Sequence, residues 1–567
     1  MAEVVKEVEK METNVVDEPR RTFTVGIKAE YLLQVEANND EDQKQVENKN
    51  EEKPQNDKKF KKHGIDKQRK RKMNQARAEV NRNEVRLCPS VVTSSRKCKY
   101  GENCRFEHSI DAYMKTKQPD LGDKCVNFDS IGTCPYGVSC RFGSIHTNED
   151  FSQISKDPDP SYKPTINTHY NALQISIRKR EYDFAVADEA CKKFANPNIP
   201  SGAMNREKVK LDMRSLKGKT YLAPLTTVGN LPFRRLCVEL GAEITCGEMA
   251  IATNFLRPNG GANEWPLLKR HHTEKIFGVQ LAGGYPDTLS KTAQIIRENV
   301  DVDFVDLNLG CPIDMINDKG GGCCLGNRPN KLFPVVKTMQ EALGDIPLTL
   351  KMRYGLKNNE YTAHAIMNQL TSSCPPQLIT LHPRSKEQRY TKEAHWNYVP
   401  QCIEALNKKV PLWVCGDVYN QSDYYKRLEE YDIDGIMIGR AALIKPWLFT
   451  EIKERRDWDI SASERLGLIQ KFVNYGLEHW GSDNSGVETT RRFLLEWMSF
   501  QYRYVPLGIL ERPQRMNEKP MPYFGRSDME TMLSSRRASD WIQVSEMFLG
   551  KTPDGFLFVP KHNANAW

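Results

Sequence analysis

Eight short runs of apolar and β-branched residues alternate with longer amphipathic stretches between residues 219 and 441. The runs begin at Lys219, Ala242, Ile276, Val302, Pro347, Gln377, Pro411 and Asp434. Strands that alternate with helices pair through βαβ crossovers into a parallel sheet. Eight such units predict an α/β fold of the (β/α)8 or TIM-barrel type over residues 215–455, with functional groups at the C-terminal strand ends.

Polar groups directly follow most of these runs. Six single residues do so, namely Gln280, Asn308, Cys311, Lys351, His382 and Arg384. The segments Gly416-Asp417-Val418 and Gly439-Arg440 close the last two runs. Loops after strands seven and eight of such a barrel often bind phosphate, and glycine beside arginine suits that use. A lone Gln or His at a strand end is usually a satisfied structural group, so the prediction of a ligand site depends on the whole set.

Cys311 lies in the stretch LNLGCPIDMINDKGGGCCL, between a glycine and a proline at a predicted strand end. A buried structural cysteine is one interpretation, because free cysteine is commonly buried. A normal thiol pKa near 8.5 keeps the group mostly protonated at neutral pH, which suits a general acid. The triple glycine, 320–322, either packs closely beside this loop or is a flexible loop without contacts.

Three cysteines and one histidine occur twice in the same order within about 60 residues, at spacings usual for zinc. The first set is Cys88, Cys98, Cys104 and His108, and the second is Cys125, Cys134, Cys140 and His146. Short loops between such ligands let a small module fold around the ion, whose binding energy replaces a hydrophobic core. The sequence therefore predicts two structural zinc ions, in modules spanning 86–110 and 123–148, against the alternative of coincidence among buried cysteines.

The two modules resemble CCCH-type zinc fingers, a family that usually binds RNA. The resemblance includes Tyr-Gly and Arg-Phe pairs between the ligands, at 100–101 and 105–106 in the first finger and at 136–137 and 141–142 in the second. Aromatic rings beside arginine suit stacking on unpaired bases. The second finger departs from the family spacing, because His146 follows Cys140 by six positions.

Residues 1–85 are predicted to be disordered, because much of this stretch is polar and charged and carries too few apolar residues to form a core. The basic run 58–72 is a nuclear import signal, a phosphate-binding arm or a plain solvated tail. The N-terminus has no apolar signal-peptide core, and no apolar run reaches the roughly 18 residues of a membrane span. Together with 15 cysteines, this favours a reducing compartment, so we expect the cytoplasm, the nucleus or both, without membrane attachment.

Residues 149–214 are predicted to be a linker with a basic helical segment at 175–193. Residues 456–550 have helical periodicity, and residues 551–567 form a C-terminal tail. The helical region carries Arg491, Arg492, Arg503, Arg512 and Arg515 among aromatic residues. It is either an RNA-binding domain or an ordinary solvated helical bundle, because arginine is common on surfaces.

The motifs LAPLTTVGNLPFR, LNLGCPIDMINDKGGGCCL, LKMR and LHPRSKEQRYT resemble those of the tRNA-dihydrouridine synthases. With the fingers in front, the chain is most similar to the eukaryotic zinc-finger members of that family. The resemblance implies an FMN-binding barrel that reduces the C5–C6 double bond of a tRNA uridine, at position 47, with electrons from NADPH or NADH. It leaves mRNA as a further candidate substrate, and we expect a monomer.

The resemblance also implies roles for single residues. It places the flavin against Pro224, Leu225, Thr226, Gln280, Lys351 and His382, and its phosphate against Gly416, Asp417, Val418, Gly439 and Arg440. Hydride from FMN would reach C6 of the uracil, and Cys311 would protonate C5 from the other side. Asn308 and Arg384 are the candidates to hold the uracil, and the helical region would bind tRNA.

Two other functions compete with this interpretation. One is a flavin barrel that oxidises a free dihydropyrimidine, as dihydroorotate dehydrogenases do, although the fingers and the basic run argue against a small free substrate. The other is a non-catalytic RNA-binding protein that kept the barrel as a scaffold. The presence of Cys311, Lys351 and His382 argues against that second alternative.

Overall fold

A computed structural model describes residues 24–33, 84–92, 97–194, 209–257 and 264–561. The basic run 58–72 lies outside these residues, so the hypotheses about it stay predictions. Within the described residues, no helix has both the length and the apolar composition needed to cross a membrane.

Eight parallel strands close into a barrel, as the sequence predicts. In chain order, β1 to β8 are Tyr221–Leu222, Ile244–Cys246, Ile276–Ala282, Phe304–Leu309, Leu348–Gly355, Leu378–Ser385, Leu412–Val414 and Gly435–Ile438. Each strand pairs with its neighbours in sequence, and β8 pairs with β1, which closes the ring. Each of the eight predicted runs overlaps one of these strands, and β5 and β6 extend one or two residues beyond their runs. A short extra strand, Ala250–Ile251, pairs in parallel with the last two residues of β3.

The α-helices around the barrel follow their strands. Their bounds are Leu231–Glu239, Ala252–Phe255, Pro286–Asn299, Asp314–Asn317, Gly322–Gly326, Pro329–Leu343, Ala363–Ser373, Val399–Leu406, Gln421–Glu430, Arg440–Ile444 and Leu448–Glu454. The barrel interior is filled by large side chains, with the Tyr221 ring 5.6 Å from Trp413 and 6.1 Å from Phe304. Gly278 makes room for this packing, because a Cβ there would lie 2.2 Å from the Phe304 ring.

The predicted helical segment 175–193 is two helices instead of one. They are Asn171–Lys179 and Ala185–Phe194. The first helix ends because Arg180 adopts a left-handed backbone conformation with φ of 61°. The second helix packs on Pro286–Asn299 and Pro329–Leu343. A two-residue strand, Thr165–Ile166, pairs with Arg270–His271 and fixes the linker to the barrel.

The C-terminal region is helical, as predicted. Its helices are Ala462–Trp480, Asn484–Gln501, Asp528–Ser534 and Ala538–Leu549. The first begins with a capping box, in which Ser461 and Glu464 satisfy each other's backbone N–H groups. It packs on barrel helix Leu231–Glu239. The indole of Trp497 donates a hydrogen bond to Leu443 O, so the helical region and the barrel share one core.

Two of the five arginines noted in the helical region are interior groups. Arg491 is fully buried and donates to Ser545 Oγ and to the carbonyls of Leu549 and Gly550. Arg503 is 2% exposed and donates to the carbonyls of Met516 and Glu518. These two guanidinium groups hold the domain together, and whether the helical region binds RNA stays a prediction. Arg515 is exposed.

Residues 24–33 form an ordered strap on the helical region, so the prediction of disorder over 1–85 is wrong for this segment. Val25 and Ile27 are buried in a small cluster with Val505, Ile509 and Tyr523. Backbone bonds from the N–H groups of residues 25, 28 and 33 reach the carbonyls of 519, 509 and 522. Apolar residues here alternate with polar ones, and that pattern suits a strand-like segment with one buried face.

Ile27→Ala is expected to loosen this strap without unfolding the barrel. Truncation of a buried isoleucine costs about 2–5 kcal/mol. The loss here cannot exceed the free energy with which the strap docks on the helical region, because the strap detaches once that is lost. Amide hydrogen exchange at Val25 and Lys28 should therefore accelerate by roughly tenfold or more. Ile175→Ala, at a site that is 44% exposed, is the control and should change nothing. Unaltered exchange in the Ile27 variant would show that the strap is not held by this side chain.

Candidate active site and zinc centres

Cys311 follows β4 at the C-terminal mouth of the barrel and is 9% exposed. The side chain of Asn308, at the end of the same strand, holds the turn that carries it. Asn308 Oδ1 accepts hydrogen bonds from the backbone N–H of Gly310 at 3.1 Å and of Cys311 at 2.8 Å. The position of the thiol is therefore fixed by an amide whose oxygen is fully used.

The triple glycine packs tightly against this turn, which excludes the flexible-loop alternative. A Cβ at Gly322, whose φ is 58°, would lie 2.7 Å from Cys311 O. A Cβ at Gly284 would lie 2.6 Å from the backbone of Lys319 and Gly320. Asn317 Nδ2 also donates to Cys311 O at 2.9 Å. Close backbone approach on two sides explains why glycine is needed here.

Burial raises the pKa of the Cys311 thiol above its ordinary value. The positive charges of Arg353 and Lys351 lower it again, but only in part. The thiol is therefore protonated at neutral pH. A protonated, fixed and slightly exposed thiol can donate a proton to a group placed in the mouth, and it is a weak nucleophile.

A buried polar chain beneath the mouth includes a residue that the sequence analysis missed. Asp306 on β4 accepts hydrogen bonds from Gln280 Nε2 at 2.7 Å and Thr349 Oγ1 at 2.6 Å. Gln280 Oε1 in turn accepts from Asn308 Nδ2 at 2.8 Å. Burial raises the pKa of Asp306 to about 6 despite these bonds and the charge of Lys351. A carboxylate inside the apolar run FVDLNL was the available signal.

Lys351, at the middle of β5, reaches Cys415 at the end of β7, with Nζ 3.5 Å from Sγ. The residue is only partly buried, and its charge lowers the pKa of both Cys311 and His382. Lys351 therefore lies near two other predicted site residues, Cys311 and His382.

Arg384 departs from its prediction as a uracil contact. It is fully buried, and its Nη2 forms an ion pair with Asp417, 2.6 Å from Oδ1. Nε donates to Lys392 O at 2.8 Å, and Nη1 lies 3.1 Å from His382 Nε2. A guanidinium without solvent access holds neighbouring groups in place and does not meet a substrate. Sequence position alone could not reveal this, because Asp417 follows 33 residues later.

Asp417 joins two arginines under the predicted phosphate site. Arg440 Nη2 lies 2.6 Å from Asp417 Oδ1, on the same carboxylate that binds Arg384. Although burial alone would raise it, these two charges hold the pKa of Asp417 below its usual value. Burial lowers the pKa of Arg440 to about 10, so Arg440 stays charged at neutral pH. The carboxylate of Asp417 and the guanidinium groups of Arg384 and Arg440 together carry a net positive charge. This charge favours the binding of an anion such as phosphate.

His382 is a neutral imidazole in this setting. Burial, followed by the charges of Arg353 and Arg384, holds its pKa well below the ordinary value. Because a guanidinium can only donate, His382 Nε2 accepts from Arg384 Nη1, and the ring proton lies on Nδ1. The histidine therefore offers one N–H donor of fixed direction.

The ends of β1 and β8 lie side by side. The predicted cofactor contacts Pro224 to Thr226 and Gly439 to Arg440 follow these two strands. A Cβ at Gly439 would lie 3.7 Å from Ala223 and 3.9 Å from Leu225. Pro224 and Leu225 are partly exposed and Thr226 is exposed at the mouth. Val418 is buried, and Gly416 lies against Ala394, with a hypothetical Cβ 2.8 Å away. Gly416 is thus needed for packing against Ala394, whereas Gly439 has no tight contact and leaves backbone that a phosphate group can approach.

Tyr390 is a second residue that the sequence analysis missed. It is half-buried, with Arg440 over its ring at 4.5 Å and Arg353 at 5.5 Å. The His382 ring lies 5.8 Å away. Tyrosine in the motif RSKEQRY has no periodicity that marks it, and only the fold brings it over the arginines.

Both zinc clusters assemble as predicted. The four candidate ligand atoms of each set lie within 4.8 Å of one another. His146 is fully buried, and neither of its ring nitrogens has a hydrogen-bond partner. An unpaired buried imidazole beside three thiols is explained by a metal ion. The wider spacing between Cys140 and His146 is bridged by a 3₁₀ turn, Gly143–Ile145.

Comparison with known proteins agrees with this site. Residues 221–499 match the family model described as Dihydrouridine synthase (Dus), and residues 84–116 match the DUS3L CCCH zinc finger domain. A protein of Homo sapiens named tRNA-dihydrouridine(47) synthase [NAD(P)(+)]-like is 45% identical over 557 residues, which cover 88% of this chain and 84% of that protein. The chain belongs to the dihydrouridine synthase family. A member from Coprinopsis cinerea, named tRNA-dihydrouridine(47) synthase [NAD(P)(+)], is 40% identical over 86% of this chain and 88% of its own length.

The residues of this dihydrouridine synthase fit FMN, the cofactor of its family. The Nδ1–H of His382 and the ammonium group of Lys351 can donate to a flavin ring. The net positive charge around Asp417 and the open backbone at Gly439 suit its phosphate. FMN is therefore compatible with the donor set and with the charge of the mouth.

Proposed function

We propose that this dihydrouridine synthase reduces the C5–C6 double bond of a uridine in tRNA, at nucleotide 47, with FMN as cofactor. The observation that carries the proposal is the protonated Cys311 thiol, held at the barrel mouth by Asn308 beside the flavin-compatible groups. The names of relatives that are 40% and 45% identical support the substrate and the position.

FMN would lie against β1, β3, β5 and β6, and its phosphate would lie at the ends of β7 and β8. Lys351, His382 and the end of β1 from Pro224 to Thr226 would hold the ring, and Gly416, Gly439 and Arg440 the phosphate. Gln280 acts from beneath, since it is 2% exposed and ties Asp306 to Asn308. When bound, FMN supplies the hydride that saturates C6 of the uracil.

Cys311 supplies the other hydrogen. Its thiol donates a proton to C5 of the base as C6 is reduced, and solvent later restores the thiol proton. Asn308 fixes the thiol through Gly310 and Cys311 and has one amide hydrogen left for a uracil carbonyl. Arg384 does not touch the base in this scheme. The base must leave its stack to reach the thiol, as in other enzymes that act on nucleobases.

The pH dependence follows from the raised thiol pKa. A general acid is active while protonated, so the single-turnover rate should be flat through neutral pH and fall as pH rises through the pKa of Cys311. Because burial places that pKa above the ordinary thiol value, the fall should lie in the alkaline range. Cys311→Ser should remove this limb, since a hydroxyl does not titrate there. A rate that rises with pH across the same range would contradict the assignment.

A comparison of substrates tests the proposal. Anaerobic NADPH oxidation should be stimulated by unmodified tRNA and not by equal concentrations of free uracil or orotate, the unsaturated pyrimidines that can accept the electrons. Stimulation by a free pyrimidine alone would favour the dihydropyrimidine-oxidising alternative. Purified protein without bound flavin and without NADPH oxidation would favour the non-catalytic scaffold.

The remaining proposals concern partners and location. We propose NADPH or NADH as the reductant, a monomeric state, and residence in the cytoplasm, the nucleus or both. The uridines of mRNA are a further proposed substrate, because the reaction needs only an unstacked uracil. Parallel assays with NADPH and NADH, light scattering, localisation after deletion of residues 58–72, and mapping of dihydrouridine in mRNA test these four points.

A further inference from the structure

The two zinc fingers carry the same aromatic residue at the same place, but in opposite environments. Tyr100 of the first finger is 72% exposed, and nothing lies within 4 Å of a Cβ placed at Gly101. Tyr136 of the second finger is half-buried. A Cβ at Gly481, in the turn between the first two C-terminal helices, would lie 2.6 Å from the Tyr136 hydroxyl.

The matching arginines differ in the same way. Arg105 of the first finger is exposed and lies over the ring of its own neighbour Phe106, with 4.7 Å between Cζ and the ring centroid. Arg141 of the second finger is 8% exposed. Its guanidinium donates to Pro119 O, to Gln118 Oε1 at 2.7 Å and to Asn484 Oδ1 at 3.0 Å. Arg141 is therefore saturated by the protein.

The turn that receives the second finger also reaches its thiols. Ser482 Oγ lies 3.1 Å from Cys140 Sγ and 3.6 Å from Cys134 Sγ. Ser482 O accepts a hydrogen bond from the backbone N–H of Arg141 at 2.8 Å. All four ligands of this finger are buried, whereas His108 of the first finger is exposed. The second finger is thus an internal part of the helical region.

We propose that the fingers have divided roles. The first presents Tyr100, together with the exposed Lys97, Lys99 and Arg105 of the same finger, to an unpaired nucleotide of the tRNA, so that the ring stacks on the base and the cations meet phosphate. The second has a structural role: it packs against the turn 481–484, holds that turn in place and makes no RNA contact. The inference rests on the proposed function, since the RNA is the tRNA substrate named there.

The charge of the first finger agrees with a nucleic acid as its partner. Three exposed basic residues of the first finger, Lys97, Lys99 and Arg105, lie within five positions of Tyr100 in the sequence. Of the nearby acids, Glu107 is engaged by the backbone N–H groups of His108 and Ser109. Glu102 is exposed beside Gly101 and opposes an anion, so stacking on Tyr100 is the main expected contribution.

The test compares Tyr100→Ala with Tyr136→Ala in the full-length, FMN-loaded protein. Tyr100→Ala should raise the Kd for unmodified tRNA by roughly 5- to 100-fold, the loss of one stacked base, with an unchanged unfolding temperature and kcat. Tyr136→Ala should lower the unfolding temperature and leave the Kd within about twofold. Arg105→Gln and Arg141→Gln repeat the comparison with milder changes, in case Tyr136→Ala does not fold.

Two results would overturn the division of roles. One is an unchanged Kd for both Tyr100→Ala and Arg105→Gln while the wild type binds and reduces tRNA. The other is a second-finger variant that keeps the wild-type unfolding temperature and weakens tRNA binding as much as Tyr100→Ala does. A wild type that neither binds nor reduces tRNA would overturn the proposed function itself, which separates the two failures.

Discussion

Cys311→Ala is expected to lower the single-turnover rate of dihydrouridine formation by about 10²- to 10⁴-fold, the usual contribution of a positioned general acid. The thiol is the protonated group that Asn308 holds at the mouth, and alanine has no proton to give. FMN content and the unfolding temperature should stay near the wild-type values, because the thiol is slightly exposed and anchors no other side chain. Rapid-quench assays with saturating tRNA measure the effect.

Cys324→Ala is the matched control for this variant. Cys324 lies in the short helix Gly322–Gly326, which packs on the same turn, is partly exposed, and donates its backbone N–H to Asn317 Oδ1. Its side chain is not part of the Asn308 network, so the variant should react at the wild-type rate. Equal rates for Cys311→Ala and wild type would mean that Cys311 is structural and another group supplies the proton.

Arg384→Ala is expected to produce the largest loss of stability, about 3–5 kcal/mol, since it breaks a buried ion pair. Asp417 would keep Arg440 and the backbone N–H of Ala394, but Lys392 O and His382 would lose their donor. The variant should also retain less FMN, because both His382 and Asp417 would shift. Urea denaturation and flavin absorbance of the purified protein measure the two effects.

Arg456→Ala provides the comparison for an exposed pair. Arg456 binds Glu454 on the surface, where the two side chains are 54% and 46% exposed. Such pairs contribute roughly 0–1 kcal/mol, so this variant should unfold almost as the wild type does. Similar losses in the two variants would contradict the view that Arg384 organises the mouth from inside.

The sequence was sufficient for features that depend on local patterns. Each β-branched run became a barrel strand, because alternating strands and helices admit few arrangements. The zinc ligands assembled because their spacing is set by short loops. Cys311 could be placed at a strand end because Gly310 and Pro312 stop the strand.

The errors concern groups whose environment is set by distant residues. Arg384 lies near the end of its strand, as a ligand would, yet it is buried and paired with Asp417 from the end of the next strand. Asp306 and Tyr390 acquire roles through neighbours on other elements. The strap at 24–33 was missed because its apolar residues only matter once the pocket at 505–523 exists. The two fingers look alike in sequence. Their environments differ because the turn at Ser482 packs on the thiols of the second finger.

Mass mapping of the product tests most directly whether the barrel reduces a uridine in tRNA. Unmodified tRNA is incubated with the FMN-loaded protein and NADPH, digested with a base-specific nuclease, and the fragments are weighed. The fragment containing nucleotide 47 is expected to gain the mass of two hydrogens, while the other fragments keep their mass. A flavin-loaded protein that oxidises NADPH but leaves every fragment at its original mass would contradict it.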